Sequence, residues 1–131
     1  MSRNTSSDSY IEAWRERLRR ETAELDRALA EARAKAKDCA SLLAGKFGAS
    51  EVYLIGSVAG TGRFHGKSDI DLCVRGLDSH RYLQALSEAA EIAGRDIDLI
   101  LLEEAPPELV RRTKREGVLL HGRPEVPASQ G

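Results

Sequence analysis

Apolar positions in the first third of the chain recur at steps of three and four. Ile11, Trp14, Leu18, Leu25, Leu29, Ala32, Ala36, Cys39, Leu43 and Phe47 form the series, with Thr22 in the one wider gap. That is the period of an α-helix, and no Gly or Pro interrupts it before Gly45. Ser9 and Glu12 have capping-box spacing and Gly48 offers a stop, so the pattern predicts a helix over 9–48. Residues 1–8 are polar and are expected to be a disordered N-terminus. A continuous helix of that length spans on the order of 55 Å at 1.5 Å per residue. A compact domain of this size is narrower, which leaves two alternatives. Either the helix breaks near its middle and folds back, or part of its stripe lacks a partner within the chain. In the second case residues 10–47 form an arm that pairs with another chain, as a homo- or hetero-oligomer.

Past Gly48 the pattern changes. Val52-Tyr53-Leu54-Ile55 is a short apolar run of strand type ending at Gly56-Ser57, and Ile70 to Val74 reads as a second strand. Asp78 to Ala93 has helical spacing, with Leu83, Leu86, Ala90 and Ala93 expected to face inward. Asp96 to Leu101 is a third strand, and Pro106-Pro107 opens a helix running to Glu116. Val118-Leu119-Leu120 closes the sheet as a short strand, and residues 123–131 are expected to be a flexible tail. These elements define an α+β domain over 49–122: a small mixed sheet flanked by helices, preceded by one long N-terminal helix.

Composition narrows the function. A chain of 131 residues supports one core, with little room for a second domain. Its 20 Lys and Arg against 21 Asp and Glu give no global positive field, and no basic stretch is interleaved with aromatics, so direct nucleic-acid binding is not expected. Cys39 and Cys73, the only cysteines, both fall in apolar patterns and read as small buried hydrophobes of a reducing compartment. With no signal-peptide core and no run of transmembrane length, a cytoplasmic protein without a membrane partner is expected.

The chemistry concentrates in GSVAGTGRFHGKSDIDL, residues 56–72. In a strand, residues i and i+2 point to one face, so Asp69 and Asp71 project together while Ile70 and Leu72 enter the core. Two carboxylates on one face repel unless a cation is shared between them, and hard oxygen ligands select Mg²⁺ or Mn²⁺. Asp98, flanked by Ile97 and Leu99, converges with them if the two strands are neighbours. Three such acids can hold two metals for in-line phosphoryl or nucleotidyl transfer. A D-x-D alone is as often a solvated strand edge. Asp96 shares the face of Asp98, but it stands at the strand's start, where an exposed acid is unremarkable.

Gly56 and Ser57 lie where a strand ends, and backbone N–H groups there, with the Ser57 hydroxyl, can cradle a triphosphate. Arg63 and Lys67 read either as partners for phosphate oxygens or as solvated loop charges. His65 alone does not make a zinc site.

Gly56-Ser57, Ser68-Asp69-Ile70-Asp71-Leu72 and Ile97-Asp98-Leu99-Ile100 together resemble the polymerase-beta-type nucleotidyltransferase superfamily, and the size and layout resemble its minimal nucleotidyltransferase (MNT) branch. Glu116 to Leu120 is similar to the usual end of such domains, so the likeness covers about residues 50–122. It implies a polymerase-beta-like nucleotidyltransferase fold that uses ATP as nucleotide donor and two Mg²⁺ ions. It assigns Asp69 and Asp71 as metal ligands, and Asp98 as a ligand that also helps to deprotonate the attacking hydroxyl. It gives the triphosphate to Gly56 and Ser57. Many MNT proteins are antitoxins paired with a HEPN-domain ribonuclease toxin, and some silence it by transferring AMP to a toxin tyrosine. One departure stands out: the family usually reads Gly-Ser-x-Ala-Arg-Gly, whereas Gly60 here occupies the place of the Arg. Either Arg63 substitutes from a displaced position or nucleotide binding is weakened, leaving an antitoxin that acts by binding alone. A stand-alone transferase acting on a small molecule or an RNA end is disfavoured, because almost no mass remains to hold a small acceptor and the near-neutral charge counts against RNA.

Overall fold

A computed structural model of the chain describes residues 2–60, 64 and 69–123, with side chains from Asp8 onward. Its elements run α1 (Ser2–Gly45), β1 (Glu51–Ile55), a 3-10 turn (Ser57–Ala59), β2 (Ile70–Arg75), a second 3-10 turn (Ser79–Arg81), α2 (Tyr82–Ala93), β3 (Ile97–Leu101), α3 (Pro107–Glu116) and β4 (Val118–His121).

The first helix is continuous, which removes the folded-back alternative. It also starts at Ser2, upstream of the expected cap at Ser9. Residues 2–8 contain no Gly or Pro, and adding a residue to an existing helix costs far less than nucleating one. At the other end Lys46 N–H donates to Leu42 O at 2.9 Å and Ala49 N–H to Leu43 O at 3.0 Å. Gly48 allows this closure with a φ of 76°.

The sheet order is β3-β2-β1-β4. β1 pairs antiparallel with β2 and β4, and β2 pairs parallel with β3 across the α2 connection. Strand alternation divides the side chains between two faces. Val52, Leu54, Ile70, Leu72, Val74, Ile97 and Leu99 join the larger core with α1 and α2. Tyr53 and Cys73 face the other way, packed with Ile55, Ile100, Leu119 and Val110 of α3.

Ala32, Ala36 and Ala40 of α1 and Ala85 and Ala89 of α2 are all buried in the larger core that the two helices share. Small side chains let the backbones approach, and the Cys39 thiol donates to Ala89 O at 3.3 Å. This corrects one position of the expected inward face of α2, whose Ala93 is buried and whose Leu86 and Ala90 pack partly buried against the core. Leu83 is 76% exposed, because the face that docks follows Ala85, Ala89 and Ala93. Cys39 and Cys73 are free and buried, as their apolar settings imply. Among the described residues no helix is long and apolar enough to cross a membrane.

Candidate functional site

Asp71 and Asp98 meet through sheet register. In the parallel β2–β3 pair they are direct partners, and Asp71 also stands opposite Ile55, the last residue of β1. Asp69 immediately precedes β2. Alternation puts Asp71 and Asp98 on the sheet face that α3 partly covers, opposite α1 and α2. Asp96 takes a backbone role, its carbonyl accepting from Ile70 N–H at 3.1 Å.

The acids are electrostatically uncomfortable together. Burial pushes the Asp71 carboxyl above its ordinary range, and the charges of Asp98 and Asp69 push it further. A side-chain hydrogen bond between Asp71 and Asp98 acts in the same direction, since it favours a proton on Asp71. Among the described residues no three His, Cys, Asp or Glu side chains are gathered as a metal cluster. Asp71 and Asp98 instead stand side by side as register partners, with the charge of Asp69 close by. Their donor chemistry still fits a hard divalent cation: carboxylate oxygens, and like charge at adjacent positions that a cation would relieve.

The turn after β1 is built against this pair. Gly56 has a φ of 77°, and a Cβ there would collide with Asp71 Oδ2. Glycine is therefore required twice at this position, for backbone conformation and for close approach. Ser57–Ala59 then forms one 3-10 turn, closed by Ala59 N–H to Gly56 O and Gly60 N–H to Ser57 O, both at 3.1 Å. Arg63 and Lys67 lie outside the described residues.

Two features escape sequence reasoning. A cleft of about 180 Å³ adjoins Gly56 and is walled by Ile55, Leu109, Arg112, Thr113 and Glu116. Pro107-Glu108 marks α3 as a helix, but nothing in its sequence says that it leans on the end of β1. The second is Arg33 of α1, whose Nε donates to Val58 O at 2.9 Å. Its only sequence signal is its place beside Ala32 on the border of the buried stripe.

A mixed four-stranded sheet that brings a strand-end Gly-Ser turn against paired acids on adjacent strands has the plan of a nucleotidyltransferase domain. The chain belongs to the polymerase beta nucleotidyltransferase family, whose profile matches residues 37–126. Among curated proteins none matches the chain. Solved structures do. A toxin–antitoxin complex with AMP-PNP is similar at 26% identity and a TM-score of 0.57, covering 69% of this chain and 74% of that one. A protein described as a minimal nucleotidyltransferase is similar at 26% identity and a TM-score of 0.58, covering 69% of this chain and 93% of the other. At 23% identity and a TM-score of 0.55, an MNT antitoxin in complex with a tri-AMPylated HEPN toxin of Shewanella oneidensis shares the fold, with 70% of this chain and 73% of that one covered.

Proposed function

We propose that the chain is an MNT-type antitoxin that binds a HEPN ribonuclease toxin and neutralises it by Mg²⁺-dependent transfer of AMP from ATP to a toxin tyrosine. One observation carries the reading: Asp71, paired in register with Asp98, lies against a glycine turn that tolerates no side chain. Likeness to a toxin–antitoxin pair bearing AMP-PNP supports a nucleotide donor and a protein partner.

The chain's residues divide the work. Gly56 and Ser57 hold the triphosphate through backbone N–H groups and a hydroxyl, with Arg63 and Lys67 as further phosphate partners. Asp69, Asp71 and Asp98 would hold Mg²⁺, which when bound offsets the charge of the phosphates and of the acids themselves. Asp98 takes the proton of the acceptor hydroxyl as its oxygen bonds to the α-phosphorus. The bond from that phosphorus to the bridging oxygen breaks and pyrophosphate leaves, so atoms and charge balance. Residues 49–122 form the transferase domain. The helix over 9–48 docks the partner, and 123–131 is a tail outside the chemistry. Two unpaired buried thiols suit a cytoplasmic setting.

A second reading, an antitoxin that acts by binding alone, is favoured by Gly60 standing where the family's loop Arg would be. Calorimetry separates the two. Transfer requires Mg·ATP binding that Asp71→Asn weakens, whereas tight toxin binding without Mg·ATP binding would leave only the second reading.

A further inference from the structure

We propose that Arg33 is a positioning residue of the phosphate-binding turn, acting from the long helix; the proposal rests on the transferase reading above. Ala32, fully buried against the core, fixes the rotation of α1 at this level and so aims its neighbour Arg33 at the turn. The guanidinium Nε donates to Val58 O at 2.9 Å. Val58 itself is fully buried, so the turn is held at two points of one residue: its side chain in the core and its carbonyl on Arg33.

Gly60 completes the arrangement. Its φ of 97° disfavours any other residue, and a Cβ there would sit 3.6 Å from Arg33 Nη2. A Cβ at Gly60 would thus make only ordinary contact with Arg33, and it is the backbone conformation of the turn that selects glycine there. Arg33 bonds the turn from the α1 side, whereas Asp71 and Asp98 lie on the opposite face of the sheet. It therefore acts through the turn and not on substrate. It also precedes the family-matched segment 37–126, so the clamp is supplied by a part of this chain outside that match.

The test uses the full chain, with Arg33→Gln and the conservative Arg33→Lys. Hydrogen exchange is followed at the Ala59 and Gly60 amides, which close the turn, and Mg·ATP and adenosine are titrated by calorimetry. Arg33→Gln is expected to speed exchange of those two amides about tenfold while β1 and β2 amides keep their rates. It is expected to weaken Mg·ATP about tenfold and to leave adenosine unchanged, with Arg33→Lys falling between. Wild-type exchange in Arg33→Gln would overturn the clamp, as would acceleration spread evenly over β1 and β2, which marks a merely structural residue. Faster turn exchange with Mg·ATP affinity within twofold of wild type would overturn the positioning role alone. A wild-type chain that binds no Mg·ATP would overturn the transferase reading and the positioning role together, while the exchange data would still decide the clamp.

Discussion

Asp71 concentrates the conflict at the heart of the site. Its proton is held more tightly in the folded chain than in an unfolded one, because burial and two neighbouring carboxylates oppose ionisation. The stability this contributes is fully present below the unfolded carboxylate pKa of about 3.9 and is lost as pH rises through the higher folded value. At neutral pH without a divalent cation the ionised group is therefore a liability. Asp71→Asn is expected to raise the melting temperature there by a few degrees while abolishing transfer, and the gain should vanish on going to pH 3. Scanning calorimetry at the two pH values, without and with Mg²⁺, checks this; Mg²⁺ should stabilise the wild type more than the variant. Gly56→Ala should do the reverse. A methyl aimed at Asp71 Oδ2 from a positive-φ backbone is expected to cost about 1–3 kcal/mol in denaturant melts and to reduce Mg·ATP binding.

At the scale of elements, α1 divides into two parts that the sequence pattern does not distinguish. The same stripe continues through both, but Ala32, Ala36, Cys39, Ala40 and Leu43 are buried, while Tyr10, Ile11, Trp14, Leu18 and Leu25 are exposed. The change comes from geometry: 44 residues at 1.5 Å each reach about 66 Å, beyond a domain built on four short strands. Leu43→Ala is expected to cost about 2–5 kcal/mol, the range for emptying a packed leucine site. Leu18→Glu should stay within about 0.5 kcal/mol of wild type yet weaken toxin binding at least tenfold. Urea melts and a pull-down titration on the same two variants test both halves of this contrast. Helical periodicity, short apolar runs and a proline at a helix start together anticipated β1 to β4 and α1 to α3. The helical pattern failed at one position of the inward face of α2, while Leu86, Ala90 and Ala93 pack against the core as expected. There Leu83 points to solvent and the alanines dock, since the close approach of α1 favours small side chains over large ones.

For the whole molecule, what could be read in advance follows from contact distance along the chain. The i, i+2 rule brings Asp69 and Asp71 together from sequence alone, and Asp98 joins them once β2 and β3 are taken as neighbours. Arg33 could not be anticipated, because its partner Val58 lies across a helix end and a strand and no local rule links them. Nor could the cleft between Gly56 and α3, which exists only after β4 returns alongside β1. The resulting arrangement has a division of labour: one sheet face anchors the long helix, the other carries the acids, and the Gly56–Gly60 turn joins the two. The exposed arm and the transferase site are expected to engage one partner together. The most direct measurement incubates the chain with Mg²⁺ and its toxin in the presence of ATP labelled on either the α- or the γ-phosphate. The account predicts that only the α-label appears on the toxin, with release of pyrophosphate, and that Asp69→Asn combined with Asp71→Asn eliminates it. Toxin neutralised without α-label, or labelled equally by the double variant, would contradict it.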